Sequence, residues 1–354
     1  MMIVGIGGCT ALLLTGFGVR DSIVDIVDFQ FKDVTLYDME VRFAEGMDED
    51  DQQDFTAYMS RYCDQITFAH QSTAEMDFDG QTKDVIMIGA NRDLVQFMDF
   101  HRGNQPVQIP KDGQVLLSVG IADKMGISVG DRVTLRDPDM RIMELTVSGI
   151  YDNYVYNYVI VSPLTIASAW GELPQLQVAY LNMADGQDVH VAGTKVADYE
   201  NVMNVTICAD LADQVGSMLE AMNLVVITVV VCAGILAVTV LYNLTNINIT
   251  ERIREIATIK VLGFNARESA SYVFKENLLL SAMGSVFGLL GGYWLLVYVM
   301  SQIQVDMVWM PARLQPMSYV WAVVLTMLSA CIVDFILYFK LDKINMAEAL
   351  KSVE

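Results

Sequence analysis

Basic side chains are scarce in this sequence: 22 lysines and arginines face 43 aspartates and glutamates, a formal net charge of −21. No polybasic surface is available to neutralise a phosphate backbone, which argues against nucleic acid as a partner. Cysteine is thin as well. Cys9, Cys232 and Cys331 fall in apolar runs, and only Cys63 and Cys208 lie in the polar part of the chain, with no metal spacing and no disulfide framework. Those two read either as a single bridge or as two buried small residues. His70, His101 and His190 are far apart, with no cysteine or acid at ligand spacing, so none reads as metal-binding or catalytic. There is no G-x-x-x-x-G-K-[ST] run, hence no P-loop, and no catalytic constellation. The chain binds no cofactor of its own on this reading; if ATP with magnesium drives it, another subunit must hold them. Internal repeats and low-complexity tracts are absent too.

What the sequence has in quantity is apolar surface, 53% of 354 residues, distributed unevenly. Residues 20–221 hold 13 basic and 34 acidic side chains, which accounts for the whole net charge. Around that acidic segment lie four apolar stretches, centred on 3–19, 222–244, 277–300 and 318–340, each near the length that crosses a bilayer at about 1.5 Å per helical residue. The first lacks a basic start and a small-x-small cleavage site, so it reads as an uncleaved span. It is short and has no basic flank, and the expectation is that the chain begins inside a longer gene product. The predicted division is helix 1–20, soluble domain 21–220, helix 221–244, elbow 245–276, helix 277–300, loop 301–317, helix 318–340 and tail 341–354.

The elbow carries the strongest pattern. Isoleucines at 249, 253, 256 and 259 line one side of a helix whose other side holds Glu251, Arg252, Arg254 and Glu255. Gly263 stands where a left-handed C-terminal residue belongs, and Asn265 with Glu268 reads as the cap of the next helix. Five basic residues (Arg252, Arg254, Lys260, Arg267, Lys275) lie in this stretch against one, Arg313, in the following loop. The positive-inside rule therefore puts the elbow and both chain ends in the cytoplasm and the acidic domain outside.

The run Arg254-Glu-Ile-Ala-Thr-Ile-Lys-Val-Leu-Gly263, followed by a glycine-rich span, resembles the first cytoplasmic elbow of the FtsX/MacB-like ABC permeases. The tail Leu341-Asp-Lys-Ile-Asn-Met-Ala-Glu-Ala-Leu-Lys351 resembles the closing motif of that family, with Met346 where proline is usual. The resemblance implies a multi-pass plasma-membrane protein with four transmembrane helices and a large extracytoplasmic α/β domain of MacB type between helices 1 and 2. It implies a coupling helix docking on a separate ABC ATPase through Glu251, Arg254, Glu255, Lys260 and the Leu262-Gly263-Phe264 corner. It further implies a second permease unit, as homodimer or fused half, and transmission of motion to the outer domain, for extrusion of a lipid, lipoprotein or peptide or for activation of a wall enzyme. The rival reading is a membrane-anchored receptor or adaptor whose outer domain binds a ligand and whose elbow recruits no ATPase.

Within the soluble segment, 37–43 alternates as a strand, 50–62 reads as a helix with acids at its start, and 66–68, 74–78 and 83–88 read as strands around an Asp79-Gly80 turn. The stretch 114–135 suggests a strand, a short helix and a Gly130-Asp131 turn into another strand, with further strands at 143–151 and 154–162; this order resembles the MacB outer domain. Asp48-Glu-Asp-Asp51 lacks the glycine and twelfth-position acid of a calcium loop and reads as an acidic helix start. Tyr154, Tyr156 and Tyr158 are expected on one strand face, as packing or as an aromatic platform.

Two features of the spans remain. Gly284, Gly288 and Gly292 form consecutive G-x-x-x-G units on one helix face, which predicts close approach of a helix from this chain or from a second unit. Asp334 lies inside the fourth span, where an ionisable residue is a functional candidate; reaching the interface or pairing with an elbow cation are the alternatives. With no second acid at depth, intramembrane aspartyl protease chemistry is excluded.

Overall fold

The computed structural model describes residues 2–251, 266–303 and 308–342. In chain order, the first part gives α1 (Met2–Asp28), a π-helical turn (Phe29–Val34), β1 (Met39–Met47), α2 (Glu49–Met59), β2 (Cys63–Phe78), β3 (Gln81–Gly89), β4 (His101–Arg102), β5 (Gln105–Pro106), β6 (Gln114–Ser118) and α3 (Val119–Met125). Then follow β7 (Arg132–Arg136), β8 (Ile142–Tyr151), β9 (Tyr158–Val161), α4 (Pro163–Trp170), β10 (Leu176–Met183), α5 (Val189–Ala197), β11 (Val202–Ile207), α6 (Cys208–Glu251), α7 (Ala266–Gln302) and α8 (Pro316–Asp342). Two compact units result: a helical one from residues 1–23, 219–303 and 311–354, and a β-rich one from residues 24–218 and 304–310.

The β-rich unit is organised by β2. Its first half pairs with β10 (Val178 opposite Ala69) and its second half with β3 and β7, so one strand serves two sheets. The order β11-β1-β10-β2-β3-β9-β6-β8-β7 closes on itself through the β2–β7 pairing. Asp79 and Gly80 join β2 to β3, both with positive φ (52° and 76°), the conformation a two-residue hairpin of matching twist requires.

Alternation places two cores on the two faces of β1 and β10. Met39, Val41, Phe43, Ala179 and Leu181 pack with Phe55 and Met59 of α2 and with Ala192 and Val196 of α5. Val178 and Tyr180 point the other way, into a cluster with Tyr37, Phe97, Phe100, Tyr151 and Tyr158. Each fully buried aromatic or aliphatic side chain here contributes about 1.5–3 kcal/mol. The start of α2 is a capping box: Asp48 accepts from the Asp51 amide at 2.8 Å and Asp51 accepts from the Asp48 amide at 3.3 Å.

Two sequence expectations are corrected. The strands expected at 66–68 and 74–78 are one continuous strand, β2. The tyrosines do not share a strand, since β9 begins only at Tyr158 and Tyr156 has φ 63°.

In the helical unit, four helices are long and apolar enough to cross a membrane, with candidate spans Met2–Val34, Val226–Glu251, Phe274–Gln302 and Pro316–Phe339. Apolar clusters such as Leu13, Leu14, Ala233 and Ala322 join these helices, and small and polar contacts join them as well. Thr10 Oγ1 meets Thr326 Oγ1 at 3.0 Å, joining α1 to α8, and Thr15 Oγ1 donates to the Gly292 carbonyl at 3.2 Å, joining α1 to α7.

Candidate functional site

Of the residues expected to couple to an ATPase, Glu251 ends α6 and is exposed. Arg254, Glu255, Lys260, Leu262, Gly263 and Phe264 lie outside the described residues. Within the last three turns of α6, Ile249 and Leu241 are buried in one cluster with Ala330, Val333 and Leu337 of α8 and Ile6 of α1. The helix leading to the elbow is thereby packed on its neighbours.

The three glycines of α7 face α1 of the same chain. A Cβ at Gly288 would stand 2.5 Å from the Gly7 carbonyl oxygen and 2.6 Å from Thr10 Cβ; one at Gly284 would meet Ile6 Cβ at 2.9 Å, and one at Gly292 the Ala11 Cα at 3.0 Å. Gly7 returns the contact, its own Cβ position lying 3.1 Å from the Gly284 oxygen. The closest of these neighbours are backbone atoms, which cannot turn aside. At the other end of α1, Asp21 accepts from the Gln315 amide (3.1 Å) and the Ser318 hydroxyl (2.5 Å) at the start of α8, while Ser22 Oγ bonds both the amide and the carbonyl of Arg313. A carboxylate at the N-terminus of α8 satisfies donors that the helix cannot satisfy itself and opposes its dipole.

The chain that links α7 to α8 contributes residues 308–310 to the β-rich unit, which sequence reasoning missed. The Trp309 amide donates to the Tyr154 carbonyl at 2.7 Å, and Val308 bridges Val155. The indole lies 5.2 Å from the Tyr154 ring, which itself stacks on Phe29 at 4.3 Å. Gly120 makes room for it, since a Cβ there would lie 2.9 Å from Trp309 Cβ. Beneath this stack Gln30 is fully engaged: its Oε1 accepts from the amides of Tyr154 (2.8 Å) and Val155 (3.1 Å), and its Nε2 donates to Asn153 Oδ1 (2.9 Å). Asn153 Nδ2 in turn donates to the carbonyls of Val155 and Tyr156. This network, not a strand, fixes 153–156; the signal for it was the pair of isolated amide side chains in otherwise apolar surroundings.

A model of the MacB-like periplasmic core domain matches residues 1–203, more than half of the chain, and one of the FtsX-like permease C-terminal matches residues 227–346. The chain belongs to the FtsX/MacB-like permease family. An ABC-transporter permease-type role follows from membership, and the protein is a membrane protein with a MacB-like domain between its first and second apolar helices. Among solved structures, the periplasmic region of MacB from Actinobacillus actinomycetemcomitans is similar at 9% identity over 52% of this chain and 94% of that one, with a TM-score of 0.34. The extracellular domain of the noncanonic ABC-type transporter YknZ from Gram-positive bacteria is similar at 12% identity over 47% of this chain and 100% of that one, with a TM-score of 0.33. No curated protein matches the chain.

Titratable groups in the outer unit of this permease are mostly structural. Cys63 and Cys208 are free and buried, and burial pushes their thiols up to about 12 and about 11 respectively, away from nucleophilic reactivity. Burial also raises the Glu40 carboxyl, partly offset by Arg42 at 3.6 Å. His70 is buried between the Gln175 carbonyl (2.9 Å) and Ser72 Oγ (3.1 Å), and burial lowers its pKa. His101 stands 3.1 Å from Asp99 and His190 3.7 Å from Asp210. Among the described residues no group of three histidine, cysteine or acidic side chains is placed to hold a metal ion.

Proposed function

We propose that this chain is the permease subunit, or one permease half, of an ABC transporter whose separate ATPase binds the ATP and magnesium. The observation that carries this reading is that family resemblance runs through both parts of the molecule, the core domain over 1–203 and the helical part over 227–346. On this reading the acidic domain faces outward and the basic elbow faces the cytoplasm, in the plasma membrane, in keeping with the five-to-one distribution of basic residues around α7. Nucleotide-driven closure of the ATPases displaces the elbow. The 37-residue helix α7, about 55 Å long, is a lever of sufficient length to carry that displacement across the bilayer. The work done outside is extrusion of a lipid, lipoprotein or peptide, or activation of a wall enzyme, and a second permease unit completes the assembly.

Docking at the elbow is tested by the double variant Arg254→Glu with Glu255→Lys, and separately by Gly263→Val. Reversing both charges places like charges in the proposed interface, at a cost of several kcal/mol. A β-branched residue at 263 resists the positive φ expected of that corner. Both variants are expected to insert and fold normally, while the partner ATPase no longer co-purifies and transport-linked ATP hydrolysis falls to background. Undiminished ATPase binding and activity in both would leave the receptor or adaptor reading standing in its place.

A further inference from the structure

A polar chain runs through three membrane helices at the elbow end of the bundle. Thr245 of α6 donates to Asn277 Oδ1 at 3.3 Å, and Asn277 Nδ2 of α7 donates to Asp334 Oδ1 of α8 at 2.5 Å. Thr245 and Asn277 are fully buried and Asp334 is 7% exposed. Leu241 and Ile249 flank Thr245 by one turn on either side, and Ala330, Val333 and Leu337 surround Asp334 on its own helix; together they form one apolar cluster. Ser281, one turn beyond Asn277 on the same side of α7, is also fully buried, and its hydroxyl has no hydrogen-bond partner among the described residues. Among the described residues Asp334 takes part in no salt bridge.

We propose that Thr245, Asn277, Ser281 and Asp334 form a binding site for one small monovalent cation of the alkali-metal class, sodium being the probe of choice. Among the described residues this carboxylate, held in an apolar bundle by one amide, is short of positive charge, and such a group is costly unless balanced. One acid supplies one negative charge, so a monovalent ion neutralises the site, whereas a divalent ion would leave a buried excess. The donors are all hard oxygens: the second carboxylate oxygen, the Asn277 carbonyl and two hydroxyls, the set that suits cations of this kind. Thr245 spends its proton on Asn277 and keeps its lone pairs, and Ser281 has lone pairs that nothing else uses. Because the donors sit on α6, α7 and α8, occupancy would tie together the two helices that bracket the elbow and the helix that packs against them. None of this depends on an ATPase partner.

The test uses the full chain in lipid nanodiscs, with unfolding midpoints measured in sodium, potassium and choline chloride at equal ionic strength. Sodium is expected to raise the wild-type midpoint saturably above that in choline, and Asp334→Asn is expected to lose the response entirely. Ser281→Ala removes a hydroxyl that bonds nothing, so a purely structural role predicts no penalty. The site predicts instead that this variant folds as wild type and binds sodium about tenfold more weakly, the equivalent of one lost ligand. Equal wild-type midpoints in all three salts would overturn the proposal, as would a sodium response retained in Asp334→Asn, unchanged sodium affinity in Ser281→Ala, or a response to pH alone. If Asp334→Asn does not fold, the Ser281→Ala titration decides by itself.

Discussion

The β-rich unit hides its largest side chains, Phe55, Phe97, Phe100 and Tyr154 among them, while α7 of the helical unit turns Trp294, Leu290 and Phe287 outward and keeps Gly284, Ser285 and Gly288 within. In water the apolar groups must leave the solvent, and bulk is drawn inward. In a bilayer the surroundings are as apolar as leucine, so no such pull exists, and helices hold together by backbone proximity and by hydroxyl hydrogen bonds. One chain thus follows two opposite packing rules. Each side of the divide should therefore be sensitive to a different kind of substitution, and the glycines, amides and histidines show where.

The largest effect is expected at the glycine contact. Gly288→Leu drives a side chain into the Gly7 backbone and should destabilise the bundle by about 3 kcal/mol, since neither backbone can yield. Gly8→Leu, one residue from the contact and with nothing within 4 Å of its Cβ position, should leave the bundle unchanged. Thermal stability of the two variants in the same detergent checks the pair. Equal stabilities would mean that the packing rule drawn for the bundle does not hold.

A smaller loss is expected from Gln30→Leu in the β-rich unit, about 2 kcal/mol, because the amides of Tyr154 and Val155 lose the oxygen that accepts them. Hydrogen exchange localises it: faster exchange is expected at residues 153–156, with the amides of α7 unaffected. Unaltered protection at Tyr154 and Val155 would remove Gln30 from its assigned place.

The smallest effect concerns pH. All three histidines lie in the β-rich unit. Burial holds the folded pKa of His70 below the ordinary value of 6.5. In the interval between the two values the unfolded chain carries more protons, so stability falls as pH drops below 6.5 and stops falling once the folded pKa is passed. His70→Gln should flatten that part of the unfolding-midpoint profile. A variant profile that superimposes on the wild type would show that His70 contributes nothing to it.

Much of this architecture could be read from the sequence because its signals are local. Apolar length marks a span, and Asp-Gly between alternating segments marks a hairpin. What escaped reading was non-local. β2 looked like two strands because residues 69–71 are all buried, and that run occurs where the strand passes from one sheet to the other and both its faces are covered. The expected strand at 154–162 forms only from Tyr158, because Gln30, 124 residues earlier than Tyr154, holds the alternating tyrosines before it in another course. α4, β10, α5 and β11 carry no pattern strong enough to stand alone. Similarly, Asp334 was visible as an oddity in a span, whereas Asn277 as its partner follows only from the packing of α7 on α8. Of the elbow, the most legible motif in the sequence, residues 252–265 lie outside the described residues.

The pairing of β1 sets a clock on biogenesis. Met39 lies between Leu181 on one side and Ile207 on the other, so both neighbours of this strand are made long after it. At roughly 5–20 residues per second, the ribosome needs on the order of 10–30 s to supply them. Throughout that interval the apolar face of Met39, Val41 and Phe43 has no sheet to join, although the first membrane helix is already complete. Anchoring therefore precedes folding by design of the chain order, and the unpaired strand must be kept from other strands until the last third of the domain arrives.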